Sequence, residues 1–269
     1  MGIDSAAPVL SIRDAALAYG QRRLWSGLDL DIAAGEFVAV LGPNGTGKTS
    51  LLRAILGLQP LTAGTVKLLG EPTRKGDGRV GYVPQQKLLG AGTPLRARDL
   101  VALGIDGTRP GIPFASKQTR AKVDAALEAV GATRYARQPV ADLSGGEQQR
   151  VRIAQAIASD PALLLCDEPL LSLDLAHQRG VSELIDEQRR RLDTAVLFVT
   201  HDVNPILGMV DRVLYLANGG FTIGTPDEVL RADVLSALYG TPVDVFRSHG
   251  RVVVIGGADE TPHHDEDGH

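Results

Sequence analysis

The feature that most restricts how this chain can fold is the segment Gly42-Pro43-Asn44-Gly45-Thr46-Gly47-Lys48-Thr49. It follows the apolar run Phe37-Val-Ala-Val-Leu41, which reads as a buried strand, and it opens Thr49 to Leu58, where apolar residues recur at helical spacing. The segment matches G-x-x-x-x-G-K-[ST] in full, and its glycine spacing does not fit the dinucleotide pattern G-x-G-x-x-G. Glycines let consecutive backbone N–H groups converge on phosphate oxygens with no Cβ in the way, and the helix that begins here adds its positive end. On this pattern Lys48 reaches the β and γ phosphates and the Thr49 hydroxyl ligates Mg²⁺.

The rest of the chain fits an α/β core. Gly64 to Leu69, Val80 to Val83, Ala162 to Cys166, Ala195 to Thr200, Arg212 to Leu216 and Phe221 to Ile223 are short strand candidates fenced by turn residues, and Asn218-Gly219 is a hairpin signal. Between about Lys87 and Ser159 the strand rhythm gives way to helices. Thr93-Pro94 is a helix start, and Gln118 to Val130 carries Val123, Ala126, Leu127 and Val130 on one face before Gly131. With 269 residues, 43% of them hydrophobic, the chain can bury a sizeable core. A net charge of −4 gives no reason to expect nucleic-acid binding. The single cysteine, Cys166, cannot form an internal disulfide and fits a reducing compartment. No signal peptide is legible in the first residues, and no apolar run reaches the roughly 18 residues of a membrane span.

A second constellation carries charge. Leu163-Leu-Leu-Cys-Asp167-Glu168 delivers two carboxylates at the end of a buried strand, where ligands sit in open α/β sheets. Asp167 is suited to hold Mg²⁺ and Glu168 to polarise an attacking water. Leu143-Ser144-Gly145-Gly146-Glu147-Gln148 opens a helix that runs to about Ser159; Ser144 and Glu147 have capping-box spacing, and the glycines leave an anion-accepting N-terminus.

Taken with the glycine-rich loop, these residues resemble the ATP-binding-cassette ATPases, whose signature is LSGGQ-like. The resemblance covers about residues 8 to 245 and implies a P-loop NTPase core of that type with an antiparallel β subdomain and an inserted helical subdomain (about 87–159). A C-terminal strand extension (246–257) and a disordered acidic tail (258–269) would follow. It further implies that Tyr19 stacks on adenine, and that Gln85, in Gly81-Tyr-Val-Pro-Gln85, contacts Mg²⁺ or the lytic water. Ser172-Leu173-Asp174 would cross a dimer interface, and His201, in Val199-Thr-His201-Asp202, would hold the γ-phosphate and orient Glu168. In such a dimer each ATP lies between one phosphate loop and Ser144-Gly145-Gly146 of a second copy arranged head to tail. The expected partners are integral-membrane permease subunits, a second copy and an extracytoplasmic metal-binding protein, with no nucleic acid. The expected place is the cytoplasmic face of the membrane. Glu147 in place of the commoner glutamine, Cys166 in place of an aliphatic residue and Leu170-Leu171 before the crossing loop are departures that leave ATPase activity intact; Cys166 is expected to be buried and inert.

The segment from Val234 through Tyr239-Gly-Thr-Pro-Val243 to His249-Gly-Arg-Val-Val-Val-Ile255 is similar to the ends of manganese/zinc/iron-type importer ATPases, with iron-siderophore importers as the nearest competitor. An exporter of the same fold, or a cassette ATPase of DNA repair or translation, is the more distant alternative. One phosphate loop, one signature and no sustained heptads argue against the repair and translation proteins. His263, His264 and His269 stand among Asp265, Glu266 and Asp267, a composition that binds divalent metal weakly; the reading favoured is a soluble tail with chance histidines.

Overall fold

Three neighbouring strands of the central sheet alternate their side chains between two separate cores, and that alternation organises the molecule. In the computed structural model, which describes residues 7–85, 95–106, 116–171 and 173–256, β1 (Leu10–Tyr19) and β2 (Arg22–Ile32) form an antiparallel pair ahead of β3 (Phe37–Leu41). Then come α1 (Lys48–Ile55), β4 (Ala63–Leu68), β5 (Glu71–Pro72), β6 (Val80–Val83), α2 (Ala97–Asp106), α3 (Lys117–Ala129), α4 (Gly145–Ile157), β7 (Leu163–Asp167), α5 (Leu175–Leu192) and β8 (Ala195–Val199). A hairpin, β9 (Arg212–Ala217) and β10 (Gly220–Gly224), leads to α6 (Pro226–Val229), α7 (Ala232–Tyr239) and a second hairpin, β11 (Asp244–Ser248) and β12 (Arg251–Ile255).

The central sheet has the order β10-β9-β3-β8-β7-β6, parallel except for β10. Every residue of β3, β7 and β8 is buried, as near-continuous apolar strands in a covered parallel sheet must be. On one face Phe37, Ala39, Leu164, Cys166, Val196 and Phe198 pack against the helices α2 to α5 and the C-terminal segment. On the other, Val38, Val40, Leu163, Leu165, Leu197 and Val199 pack against α1 and the antiparallel sheet β2-β1-β4-β5, whose central filler is Trp25. The mixed α/β architecture with an antiparallel sheet is the expected one. Cys166 is fully buried and burial pushes its thiol far up, so it is a packing residue as anticipated.

Glycines allow the helical face to close on the sheet. A Cβ on Gly81 of β6 would come within 2.3 Å of the Ala156 carbonyl oxygen, and one on Gly104 of α2 within 2.0 Å of the Gln155 carbonyl oxygen. Helix α4 therefore lies flush on both neighbours. Its N-terminus is closed by the expected capping box, with Ser144 accepting from the Glu147 N–H and the Glu147 carboxylate accepting from the Ser144 N–H.

Boundaries differ from the sequence reading where the backbone turns early. The helix expected over Thr49 to Leu58 ends at Ile55, because Gly57 takes a left-handed conformation (φ 66°) and Leu58 is left exposed. β1 and β2 carry too little period-2 signal to be read individually. Register shifts between Ile12 and Ala15 and again up to Ala18 break the alternation, with Asp14 at φ 43° and its N–H donating to Asp29. The short strand expected after the Tyr239-Gly-Thr-Pro-Val243 run is a two-stranded hairpin, with Phe246 opposite Val253. The helix start at Thr93-Pro94 and the tail with His263, His264 and His269 lie outside the described residues.

The Phe37 and Phe198 rings, both fully buried, lie 5.6 Å apart on the helical face of the sheet. Phe198→Ala is expected to lower unfolding stability by about 3–5 kcal/mol, read from urea denaturation of the purified chain.

Candidate active site

The register of the parallel strands brings four chain ends to one rim. Val40 of β3 pairs with Val199 of β8, Asp167 of β7 pairs with the same Val199, and Val83 of β6 pairs with Cys166. The residues that follow, Gly42, His201, Glu168 and Gln85, therefore emerge side by side at the carboxyl edge, the position at which open α/β sheets bind ligands. Gln85, Glu168 and His201 open onto a cavity of about 850 Å³ lined also by, among others, Tyr19, Asn44, Gly47, Lys48, Thr49 and Leu171.

The glycine-rich loop is held in a shape that side chains would prevent. Gly42 has φ 134°, and a Cβ there would lie 2.0 Å from the Leu216 carbonyl oxygen; Gly47 has φ 97°, with the Trp25 indole Nε1 2.8 Å from where its Cβ would be. Thr46 Oγ1 donates to the Pro43 carbonyl at 2.9 Å, and the Arg22 guanidinium donates to the Gly45 carbonyl at 3.2 Å. Lys48, the first residue of α1, is 5% exposed; its Nζ donates to the carbonyls of Gly42 (2.6 Å) and Pro43 (2.9 Å). Burial pulls its pKa down, while Glu168 and Asp167 pull it back up. The loop thus keeps one desolvated cation facing two carboxylates.

Those carboxylates occupy different environments. Asp167 is buried and accepts hydrogen bonds from Thr49 Oγ1 at 3.2 Å and the Tyr82 hydroxyl at 3.3 Å. Burial pushes its pKa up, and the two donors oppose that shift. The same burial, with Asp167 nearby, pushes the Tyr82 hydroxyl up to about 12, so it stays a donor. Glu168, the next residue, has φ 47°, which turns the chain out of the strand; its Oε2 accepts from Gln85 Nε2 at 3.3 Å at the cavity wall. Thr49 and Asp167, in contact through Oγ1 and Oδ1, offer hard oxygen donors of the kind a divalent cation such as Mg²⁺ takes, and among the described residues no group of three or more His, Cys, Asp or Glu side chains is placed to hold a metal ion. A polyphosphate with its cation fits the loop, the lysine and this donor set.

Sequence reasoning anticipated most of the wall but not all of it. Tyr19, from the end of β1, lines the cavity, half exposed, with its hydroxyl tied to Ser50 Oγ at 3.1 Å and Gln59 Oε1 at 2.8 Å. Arg22, Leu24 and Ser50 also line it, and Tyr82 and Trp25 stand behind it. Tyr82, beside the glutamine motif, and Ser50, directly after Thr49, had a neighbouring signal in the sequence; Arg22, Leu24 and Trp25 had none. Ser144, Gly145 and Gly146 do not line this cavity. They sit beside the start of α5, where a Cβ on Gly146 would meet His177 Cδ2 at 2.8 Å and Asp174 caps the helix through the His177 N–H at 2.9 Å. Ser172 lies outside the described residues.

The ABC transporter family model matches residues 25–171, more than half of the chain. The chain belongs to the ABC transporter family. Among solved structures, its ABC fold is similar to an ABC transporter in an inward-facing conformation, provisionally of the metal-chelate type, at TM-score 0.76 and 27% identity over 92% of this chain and 96% of that one. It is also similar to CbiO1 from Clostridium perfringens, part of the ABC transporter complex CbiONQ (TM-score 0.72, 24% identity, 86% of this chain and 94% of that one). A third likeness is to an ATP-binding cassette of an ABC transporter in its ADP conformation (TM-score 0.71, 19% identity, 87% and 95%). The last two identities speak for the shared ABC fold. No helix among the described residues is long and apolar enough to cross a membrane.

Trp25 is the only tryptophan of this ABC protein, and its buried Nε1 faces Gly47 of the phosphate loop with no hydrogen-bond partner among the described residues. Addition of MgATP is expected to change the tryptophan emission in a saturable way, and Lys48→Ala to abolish that change. An emission spectrum indifferent to MgATP in the unaltered protein would separate the loop from nucleotide binding.

Proposed function

We propose that this chain binds and hydrolyses ATP as the motor subunit of an importer for manganese or zinc, acting on separate integral-membrane permease subunits at the cytoplasmic face of the membrane. The observation that carries the reading is the meeting of Lys48, Thr49, Glu168, Gln85 and His201 around one cavity at the sheet rim, with Asp167 bonded to Thr49 just behind them. The loop from Gly42 to Gly47 cradles the phosphates through its N–H groups, and Lys48 exchanges its present carbonyl partners for phosphate oxygens. Tyr19 offers its ring to adenine. Mg²⁺, held by Thr49 and Asp167 with Gln85 beside them, would supply charge neutralisation at the β and γ oxygens.

Glu168 acts as the general base. A water attacks the γ-phosphorus, the bond to the ADP oxygen breaks, and the water proton passes to Glu168 as phosphate leaves. Gln85 Nε2 holds the Glu168 carboxylate from one side, and His201 contacts the γ-phosphate from the other. Ser144, Gly145 and Gly146 stand away from their own chain's cavity, which supports their use in trans. In a head-to-tail dimer they close the cavity of the second copy, and γ-phosphate contacts stabilise the closed form until hydrolysis removes them. The domain reading follows the same logic, with an ATPase unit over 8–245, a helical insertion over 87–159 to meet the permease, and the extension and tail beyond.

The cargo reading rests on the Val234-to-Ile255 segment, and it brings with it an extracytoplasmic metal-binding protein as third partner. The likeness to a transporter provisionally of the metal-chelate type favours a second reading, an iron-siderophore cargo. Uptake by cells lacking the gene separates the two: loss of ⁵⁴Mn or ⁶⁵Zn uptake supports the first, and loss of ferric-siderophore uptake alone supports the second.

Glu168→Gln is expected to bind MgATP with unchanged affinity, to hydrolyse it slower by about 10²–10⁴-fold, and to elute as a dimer with MgATP but as a monomer without it. A Glu168→Gln protein of ordinary activity would remove Glu168 from the role of base. Purified from gently solubilised membranes with MgATP, the same variant is expected to bring down a polytopic membrane protein; recovery of soluble or nucleic-acid partners alone would move the assignment to a non-transport ATPase.

A further inference from the structure

The loop that carries His201 is tied to the C-terminal hairpin by a side chain that imitates a strand. Asn204 Nδ2 donates to the Val252 carbonyl at 2.9 Å, and the Val252 N–H donates to Asn204 Oδ1 at 2.8 Å. Val252 pairs with Arg247 across the hairpin, and an antiparallel residue points its N–H and C=O to the same side. Both groups of Val252 face the open edge of β12, where one carboxamide satisfies them. Asparagine is suited to this, because it offers a donor and an acceptor at the spacing of a peptide group.

The clamp continues toward the site. Asn204 Nδ2 and the Asn204 N–H both donate to Asp202 Oδ1, at 2.8 and 2.9 Å. The Asp202 N–H in turn donates to Thr200 Oγ1 at 3.2 Å, and Thr200 Oγ1 donates to the Asp202 carbonyl at 2.8 Å. Thr200 closes the series by donating its N–H to the Val40 carbonyl of β3, one strand residue before Leu41 and the phosphate loop. His201, exposed like Asp202, lies inside this ladder, so its backbone is held on both sides while it borders the nucleotide cavity. The hairpin itself is fixed by the burial of Val252 (5% exposed) and by the Arg247–Asp227 ion pair at 2.7 Å. Between the hairpin and the loops lies a cavity of about 480 Å³ bordered by Pro43, Asn44, His201, Tyr239, Val252 and Val254. The hairpin meets the loop in two ways: Val203 and Val252 share the buried apolar cluster, and the Asn204 carboxamide supplies the paired hydrogen bonds to the Val252 backbone.

We infer that Asn204 is a positioning residue for ATP hydrolysis: it couples the C-terminal hairpin to the placement of His201. The inference rests on the reading of His201 as the γ-phosphate contact. Displacing that ring affects the hydrolytic step and leaves the loop, Lys48 and Tyr19 free to bind nucleotide, so kcat and KM separate.

In the full chain, Asn204→Ala is expected to lower kcat by about 10- to 100-fold while KM for MgATP stays within about twofold. The ¹³C-imidazole signal of His201, assigned by its loss in His201→Ala, is expected to shift and broaden in the same variant. Asn204→Asp, which keeps the acceptor for the Val252 N–H but has no donor for the Val252 carbonyl, is nearly isosteric and guards against misfolding; it is expected to follow Asn204→Ala. Ordinary kcat in both Asn204 variants, with His201→Ala inactive, overturns the clamp alone. So does a lowered kcat with an unmoved His201 signal. An active His201→Ala overturns the reading of His201, and the clamp with it.

Discussion

Parallel pairing of β3, β8, β7 and β6 is the constraint on which the rest of the molecule depends. Because Val40, Val199 and Asp167 share a line of register, the residues just beyond them must leave the sheet together, and no flexible loop is asked to bring distant side chains into range. The pairing holds because each of these strands is apolar on both faces, and each face has its own core. A one-residue slip of β7 would exchange the faces of Leu164 and Leu165 and withdraw Asp167 from Thr49. Packing and chemistry are therefore enforced by the same register.

On that frame the rim concentrates charge in a dry place. Lys48 is desolvated and lies near two carboxylates, of which Asp167 is buried and Glu168 stands at the cavity wall. The backbone carbonyls of Gly42 and Pro43 accept hydrogen bonds from the Lys48 ammonium, so the site holds together without placing an unpaired cation in the interior. Adjacent residues of one strand end are given unlike surroundings by nothing more than the turn at Glu168, whose φ of 47° sends the second carboxylate outward. That division of surroundings suits one carboxylate to a cation and the other to water.

Much of this was legible before any coordinates. The run from Phe37 to Thr49 announced strand, turn and helix because each residue class there has one physical use: apolar on both faces, glycine at positive φ, then an amphipathic turn. Asp167 and Glu168 were legible because they stand at the end of a strand that reads clearly, whereas Gln85 and His201 were singled out only through the resemblance to the ATP-binding-cassette ATPases. The antiparallel strands β1 and β2 were not, since their bulges destroy the alternation that identifies a strand. Arg22, Leu24 and Trp25 on β2 were missed for the same reason, although they border or support the cavity.

Local chemistry thus determined by itself the strand, glycine-rich turn and helix around Lys48, the acidic strand end, the capped helix that starts at Gly145 and the buried character of Cys166. Each depends on neighbours in sequence: a turn type, a strand period, a capping box. Only the tertiary structure decided that Ser144, Gly145 and Gly146 stand away from the cavity of their own chain, that Tyr82 completes the surroundings of Asp167, and that a C-terminal hairpin holds the His201 loop through Asn204. The reason is sequence distance. Asn204 and Val252 are 48 positions apart and Tyr82 and Asp167 are 85 apart, and such pairs are chosen by how the two cores close around the sheet rather than by any pattern in the residues between them.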